Sequence, residues 1–324
     1  MSQALRAVAP GPYVTIQDAG RNGWRRFGVS GSGAMDFPSL AAANALVGNP
    51  PDTPALEFAY LAGAWEVLAD TVRIAVTGGS FGLQVGGLPI KPWRSHTLRR
   101  GQVLQTKGAP DAVWGYLAVA GGFDLVPQLG SCSTHLRSGL GGARMTEGDM
   151  LPLLAAEAPA GKEHQLTPYV YGADPIRVVL GPQEDYFTHD VLASFLAATY
   201  RISHRSDRMG TWLDGPVIAH TGSFNLVSDG LIPGCIQIPG AGTPVVLMMD
   251  CQTIGGYPKL ATIVAADLPR FAQMRPGSTV SFVAIEVEAA QRLHREYQAA
   301  VAAIPRSVRE VPDRGDRPFW LKAE

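Results

Sequence analysis

The chain has 324 residues and almost no net charge, because 27 Lys and Arg residues are balanced by 28 Asp and Glu residues. This balance argues against a basic surface for nucleic acid or for an acidic membrane. With 46% hydrophobic residues the chain can bury a large core, and its length predicts two domains of common size. The 37 glycines and 25 prolines indicate many turns.

The cysteine and histidine pattern predicts no metal site. Cys132, Cys235 and Cys251 form no C-x-x-C pair, and the seven histidines show neither H-x-x-x-H nor H-E-x-x-H spacing. The first residues resemble no signal peptide, and no run of about 18 apolar residues occurs in the sequence. An odd number of cysteines is then typical of reduced thiols. We therefore expect a soluble, cytoplasmic protein without membrane contact.

The first part of the chain is predicted to consist of short strands. Strands are expected over 13–16 and 27–29, with a polar, glycine-containing loop between them. Later segments as far as residue 155 are rich in β-branched and aromatic residues and are separated by Gly or Pro. Because no helical periodicity lies between them, they indicate an antiparallel barrel or sandwich. These segments are 55–58, 65–68, 72–76, 83–85, 102–105 and 113–119.

Few helices are predicted. The first covers 37–47, because Asp36 can cap its first turn and Gly48 can end it. A second covers about 183–197, where apolar residues recur at helical spacing. A third, short and capped, covers 267–274, and a fourth, rich in Ala and Glu, covers 286–303.

The composition of 155–174 is that of a linker, which divides the chain into units. We predict a first β domain over 1–165, a second over 175–285, and a C-terminal helix and tail over 286–324. Strands in the second domain are expected at 200–202, 217–219, 235–238, 245–249, 261–264 and 279–285.

The stretch Asp250-Cys-Gln-Thr-Ile-Gly-Gly-Tyr-Pro-Lys259 lies between two apolar segments that read as buried strands. Two such strands joined over a Gly-Gly turn would hold Gln252, Tyr257 and Lys259 at a rigid rim, where functional groups are often found. The same pattern also fits an ordinary hairpin whose polar side chains face water.

Two further loops carry polar groups. The loop 129–142 is rich in Ser, Thr and Gly, and its N–H and hydroxyl groups suit an anion or a carbonyl oxygen, although a plain Ser/Gly turn is the alternative. The loop 206–210 places Asp207 beside Arg208, for which a surface ion pair is the alternative. Together with the polar groups of the previous stretch, they suit carboxylate or carbonyl substrates.

Two common catalytic motifs are not supported. Gly78-Gly-Ser-Phe-Gly82 matches G-x-S-x-G, but the residues after it favour a turn over the helix that a nucleophile elbow needs. The sequence contains no P-loop, and no G-x-G-x-x-G opens a helix in a βαβ unit. A nucleotide would therefore need an unconventional site here or a site on a partner.

Eight stretches of the sequence together carry a resemblance to a known family. They are TIQDAGR (15–21), SGAMD (32–36), ANALVGNP (43–50), LAVAGG (117–122), GSCST (130–134), SDRMG (206–210), PGCIQIP (233–239) and QTIGGYPK (252–259). In this order they resemble the family that contains the C subunit of bacterial 5-oxoprolinase, also described as allophanate hydrolase subunit 2 or as a kinase-inhibitor antagonist. The same module forms the biotin-dependent carboxyltransferase part of urea carboxylase. Ile254, Cys132 and His135 stand where the family commonly has other residues.

The resemblance implies a mainly β fold of two tandem cyclophilin-like antiparallel barrels with a few short helices and a cleft between them. It also implies a subunit of an ATP-dependent 5-oxoprolinase complex, which opens 5-oxoproline to L-glutamate. The partners would be a B-type subunit and a lactam-hydrolase A subunit, and ATP would be the cofactor of the complex. The resemblance does not require that the chain be enzymatically active without its partners.

The resemblance also suggests roles for individual residues. Lys259 and Arg208 would neutralise charge that develops on the lactam carbonyl, and Asp207 would help to position the substrate beside them. The substrate-binding set is Gln252, Tyr257, Gly255, Gly256, Ser133 and Thr134.

Two other functions fit the same resemblance. The first is a carboxyltransferase of the urea-carboxylase or allophanate type, which uses carboxybiotin. Because the chain contains no Met-Lys-Met biotinylation site, biotin would arrive on another protein. The second is a non-catalytic regulator that binds a partner resembling a kinase inhibitor.

Overall fold

The computed structural model describes residues 3–155, 157–168, 171–223 and 225–312. These residues form many short strands and few helices, so the predicted mainly β fold is confirmed. None of the described helices combines the length and apolar character needed to cross a membrane.

Two sheets build the first half of the chain around one apolar core. The core is filled from both sheets by large side chains such as Phe58, Trp65, Leu104 and Leu117. Its strands are β1 (Ala4–Pro10), β2 (Val14–Gln17), β3 (Ala55–Ala59), β4 (Gly63–Val67), β5 (Thr71–Thr77), β6 (Leu83–Val85), β7 (Leu88–Ile90), β8 (Ser95–Arg99), β9 (Val103–Thr106), β10 (Trp114–Val119) and β11 (Met150–Pro152).

The strand order is β11-β1-β4-β9-β6-β7 in one sheet and β2-β3-β10-β5-β8 in the other. Each pairing in the two sheets is antiparallel. The side chains of β3 and β10 are buried along their whole length, as expected for central strands covered on both faces.

One large sheet dominates the second half, in the order β21-β14-β15-β18-β17-β20-β13-β22, and it forms a nearly closed barrel. The pair β13–β22 is parallel, so the predicted antiparallel pattern has one exception here. Two further sheets have two strands each, β12-β23 and β16-β19. The strands of this half are β12 (His164–Gln165), β13 (Ile176–Leu180), β14 (Tyr200–Ser206), β15 (Gly210–Asp214), β16 (Asp229–Gly230), β17 (Cys235–Gln237), β18 (Val245–Leu247), β19 (Ile254–Gly255), β20 (Lys259–Ile263), β21 (Thr279–Val280), β22 (Phe282–Ala284) and β23 (Arg309–Glu310).

The first helix, α1 (Phe37–Val47), has the predicted bounds. The Asp36 carboxylate accepts from the backbone N–H of Ser39 at 3.2 Å, and Gly48 ends the helix with a left-handed φ of 82°. Only Phe37 of this helix is not buried, because the helix lies against β5 and β10 on one side and a C-terminal helix on another. The remaining helices are α2 (His189–Ala197), α3 (Leu268–Ala272) and α4 (Val287–Ser307).

Several sequence predictions of local structure were wrong. Residues 27–29 form no strand, because the 3-10 turn Arg25–Phe27 occupies this part of the loop. Residues 217–219 also lie outside any strand, and Val217 is 72% exposed. The linker predicted over 155–174 stays a prediction, and the structure places β12 within it, paired with β23. β-branched residues favour a strand only where a neighbouring strand is available to pair with them.

Two helix bounds also differ from the predictions. Before His189 the segment 183–197 forms only a short 3-10 turn, Glu184–Tyr186. The C-terminal helix continues through Pro305 to Ser307. Residues 313–324 of the predicted tail lie outside the described residues.

The two halves pack directly against each other. Met35 and Trp114 of the first half belong to the core of the second. The Gln273 side chain accepts from the backbone N–H of Val113 and Trp114 at 3.0 and 2.9 Å, and it donates to Asp36 at 2.7 Å. The predicted boundaries at 1–165, 175–285 and 286–324 stay predictions.

An ion pair between β13 and α3 makes stability depend on pH. Burial alone would raise the pKa of Asp267, but hydrogen bonds and charge from Arg177 and Arg270 outweigh burial and lower it. A carboxyl group with a lowered folded-state pKa stabilises the fold fully above its unfolded pKa of about 3.9, and this contribution is lost as the pH falls through the folded pKa.

Asp267→Asn is therefore expected to unfold at lower urea concentration than the wild type at pH 7. The same variant should lose less stability than the wild type between pH 5 and pH 3, because it lacks the titrating group. Urea unfolding curves at these pH values measure both effects. Equal losses in the two proteins on acidification would refute the role of this carboxylate.

Candidate functional site

Arg208 forms a buried ion-pair network where the two halves meet. Its Nε and Nη2 donate to the Asp250 carboxylate at 2.9 and 2.8 Å, and its Nη1 pairs with Glu57 of β3. Nη2 also donates to the carbonyl oxygen of Gly33 at 2.8 Å. All three charged side chains are almost inaccessible to solvent. This guanidinium therefore joins the two halves of the chain.

Within this network, opposite charges work against the effect of burial on Arg208 and Glu57. Burial alone would lower the pKa of Arg208, but Asp250 and Glu57 outweigh burial and raise it. Burial also raises the pKa of Glu57, and the positive charge of Arg208 opposes this effect. The backbone N–H of Met35 and the hydroxyl of Tyr116 each donate to the Glu57 carboxylate at 2.8 Å. Buried charges need such partners to remain in a fold.

The loop predicted to bind an anion is folded around Asp18. The Ser133 hydroxyl and the Cys132 backbone N–H each donate to the Asp18 carboxylate at 2.6 Å. The Thr134 hydroxyl donates to the carbonyl oxygen of Gly141 at 2.9 Å. The donor hydrogens of Ser133 and Thr134 are therefore used within the chain, and their role as substrate ligands stays a prediction.

The stretch 250–259 differs from the predicted pair of strands joined over a Gly-Gly turn. β17 lies between β18 and β20, so the strands that flank the stretch are not neighbours. Within the stretch, β19 pairs antiparallel with β16, and Gly255 lies opposite Asp229. This short ladder brings a carboxylate from a distant part of the sequence to Lys259.

A cleft of about 680 Å³ is bordered by this ladder and by the loop that carries Arg25 and Arg26. Each half of the chain thus supplies part of its wall. The volume falls within the range of about 300–1,000 Å³ that is typical of small-molecule sites. Leu231, Ile232 and Ile254 give the wall an apolar portion. The arrangement suits a small ligand with one or two polar groups.

Lys259 is the first residue of β20 and lines this cleft. Its Nζ donates to Asp229 Oδ2 at 2.5 Å and to the carbonyl oxygen of Gly230 at 2.8 Å. A lysine ammonium carries three donor hydrogens, so one remains for a ligand. The hydrogen bond from Lys259 lowers the pKa of Asp229, which keeps the carboxylate ionised beside it.

The other predicted catalytic residues do not line the cleft. Arg208 lies in the buried network. Asp207 is exposed, and its carboxylate accepts from the backbone N–H groups of Met209 and Gly210 at 2.7 and 3.1 Å. Such bonds are typical of an Asp that stabilises a turn. The structure therefore separates Lys259 from the Asp207-Arg208 pair with which it was grouped.

The remaining predicted substrate-binding residues lie beside or between lining residues in the sequence but do not themselves line the cleft. Gln252 and Tyr257 are exposed and flank the segment that lines it. A Cβ atom at Gly255 would lie 2.7 Å from the side chain of Leu231, and one at Gly256 would lie 3.0 Å from a backbone carbonyl oxygen. The two glycines thus permit close packing behind the wall, and substrate contact by these four residues stays a prediction.

Sequence reasoning missed Arg25, Asp229 and Glu57. Arg25 Nη2 donates to the carbonyl oxygens of Leu231 and Gln252 at 2.6 and 3.0 Å, which fixes its loop against the second half. Glu57 could have been found, because a charged residue inside an otherwise apolar strand needs a buried partner. No local sequence pattern indicated a role for Asp229. Among the described residues, no group of three or more His, Cys, Asp or Glu is placed to hold a metal ion.

Comparison with known proteins places the chain in a family. The family model described as "Carboxyltransferase domain, subdomain A and B" matches residues 27–284. The chain is 36% identical to the C subunit of 5-oxoprolinase from Escherichia coli (strain K12) over 299 residues, which cover 91% of this chain and 95% of that protein. It is 29% identical to urea amidolyase of Saccharomyces cerevisiae over 326 residues, which cover 93% of this chain and 18% of that protein.

The crystal structure of Kluyveromyces lactis urea carboxylase superposes with a TM-score of 0.85 at 27% identity, over 96% of this chain and 30% of that chain. The chain thus spans nearly all of the bacterial relative but less than a third of either yeast protein. The resemblance expected from the sequence motifs is confirmed. The chain belongs to the family of the carboxyltransferase domain, subdomains A and B, and is a homologue of the bacterial 5-oxoprolinase C subunit.

Proposed function

We propose that this chain is a subunit of an ATP-dependent 5-oxoprolinase complex that opens 5-oxoproline to L-glutamate. The observation that carries the proposal is the alignment with the Escherichia coli protein, which covers 95% of that protein. In the yeast relatives the same region is a small part of a much longer chain. Those matches therefore relate this chain to one module of those proteins and not to the whole proteins.

The complex would contain a B-type subunit and a lactam-hydrolase A subunit in addition to this chain. The bacterial relative is itself named as one subunit of an enzyme, which supports a multi-subunit assembly. We assign ATP binding to a partner subunit, because the sequence of this chain contains no P-loop pattern.

In this complex, Lys259 would activate the lactam carbonyl. Negative charge develops on the carbonyl oxygen as the ring opens, and the remaining N–H of Lys259 would donate to that oxygen. Arg208 would act as a positioning residue, since its buried pairs hold Asp250, the first residue of 250–259, and Glu57 of β3 together. Asp207 would support the turn that presents Arg208.

The experiment is reconstitution of this chain with its A-type and B-type partners. The complete complex should release ADP and glutamate from ATP and 5-oxoproline, and omission of this chain should abolish the release. A stable complete complex that consumes neither ATP nor 5-oxoproline would refute the proposal. Such a complex would favour the non-catalytic regulator.

A carboxyltransferase function is the second candidate. It is favoured by the family description and by the match to urea carboxylase. Carboxybiotin would then be delivered in trans, and urea or a related amide would be the acceptor. Carboxylation of urea by this chain with a carboxybiotin-bearing carrier protein, without turnover of 5-oxoproline by the reconstituted complex, would favour this candidate.

A further inference from the structure

The cleft carries positive charge that no carboxylate in its wall offsets. Arg25, Arg26 and Lys259 contribute to the wall, and its other residues are apolar, Gly, Pro, Thr or Cys. Asp229 is not among the lining residues, but its carboxylate neutralises the charge of Lys259. Neither arginine forms a salt bridge with a described residue. A partly enclosed, positively charged cleft concentrates small anions.

The two neighbouring arginines differ in what their guanidinium groups contact. Arg25 uses Nη2 to bind the backbone of the second half, so it fixes the loop. The guanidinium carbon of Arg26 lies 4.8 Å from the centre of the Phe27 ring, and within the described part of the chain it has no hydrogen-bond acceptor or carboxylate partner. A guanidinium stacked on an aromatic ring keeps its N–H edge available.

We infer that Arg26 binds a carboxylate of the substrate and that the cleft selects small molecules bearing both a carboxylate and a carbonyl group. The carboxylate would accept two parallel N–H bonds from Arg26, while the carbonyl oxygen accepts the remaining N–H of Lys259. Cations from different halves of the chain would thus orient one molecule. This inference rests on the proposed function, since 5-oxoproline carries both groups, whereas urea lacks the carboxylate.

The test compares 5-oxoproline with its uncharged carboxamide, 5-oxoprolinamide, as ligands of the reconstituted complex. Arg26→Gln removes the charge. Arg205→Gln is the matched control, because Arg205 is also exposed and its guanidinium carbon lies 4.9 Å from the centre of the Trp212 ring. The wild type and Arg205→Gln should bind 5-oxoproline at least about tenfold more tightly than the amide, whereas Arg26→Gln should bind the two equally.

Steady-state kinetics provide a second readout. In Arg26→Gln, KM for 5-oxoproline should rise about 10- to 100-fold while kcat stays within about twofold, because the carboxylate contact is the same in ground and transition states. Thermal unfolding at the wild-type temperature would show that the variant is folded. A fall in kcat at unchanged KM would overturn the assignment.

The outcomes separate this inference from the proposed function. Equal wild-type affinity for acid and amide, or an unchanged preference in Arg26→Gln, would overturn the carboxylate site even if the complex turns over 5-oxoproline. Conversely, a preference for the acid that depends on Arg26, in a complex without turnover, would support the carboxylate site and overturn the proposed function.

Discussion

Replacing Lys259 with alanine is expected to slow 5-oxoproline turnover by the reconstituted complex about 100- to 1,000-fold, the usual loss when one donor to a developing oxyanion is removed. Asp229 and Gly230 occupy two donor hydrogens of Lys259 and fix the direction of the third. Because the bond to a carbonyl oxygen strengthens as negative charge develops, the loss should fall mainly on kcat. Initial rates of glutamate and ADP release measure the effect.

The control for this prediction is Lys107→Ala. Like Lys259, Lys107 lies at the end of a strand, since it directly follows β9. It is exposed, however, and does not line the cleft. Its replacement should leave turnover unchanged. Near-normal turnover by Lys259→Ala in a complex of normal composition would remove Lys259 from the catalytic role proposed for it.

Replacing Arg208 with alanine is expected to lower the free energy of unfolding by about 3–5 kcal/mol, which is the usual cost of removing one partner from a buried ion pair. The carboxylates of Glu57 and Asp250 would then lie next to each other without a cation, in a place that excludes water. Urea unfolding of the purified chain at pH 7 measures the change. A loss below about 1 kcal/mol would show that the network contributes little to stability.

The pH dependence of the Arg208→Ala variant gives a sharper check. Burial raises the pKa of Glu57, and Arg208 is the main charge that opposes it. Without Arg208 the folded-state pKa should rise further above the unfolded value of about 4.3, so stability is greatest below that value and is lost as the pH rises. The variant should therefore be destabilised less at pH 5 than at pH 8. Arg205→Ala, a change at an exposed arginine, should cost no more than about 1 kcal/mol at either pH.

Local signals in the sequence were sufficient for some elements. Helix α1 begins and ends as predicted, because Asp36 caps its first turn and Gly48 supplies the left-handed residue after its end. Strands such as β5 and β10 were also recognisable, since β-branched and aromatic residues dominate segments that turn residues separate. In each case the residues that decide the structure lie within or next to the element.

Long-range pairing could not be predicted in the same way. The sequence places Asp207 next to Arg208, which suggested a pair of functional groups or, alternatively, a surface ion pair. The Arg208 guanidinium instead binds Glu57 and Asp250, which are 151 and 42 residues away. Lys259 likewise depends on Asp229, which reaches it only because β16 pairs with β19. The sheet order that decides these contacts is a property of the whole chain.

The candidate site illustrates both cases. Lys259 was selected from the stretch 250–259, and it does line a cleft. The same cleft is also lined by Arg25 and Arg26, which were not selected from the sequence. Ser133 and Thr134 were selected because hydroxyl groups suit an anion. Such groups also satisfy acceptors within the chain, and here Ser133 donates to the carboxylate of Asp18 and Thr134 to the carbonyl oxygen of Gly141.

The most direct test of the proposed site is a crystal structure of the reconstituted complex with 5-oxoproline bound. We expect the lactam to lie in the cleft of this chain, with its carbonyl oxygen about 2.7–3.1 Å from Lys259 Nζ. We also expect the substrate carboxylate to lie against Arg26. A lactam bound entirely within a partner subunit, with this cleft unoccupied, would contradict the assignment.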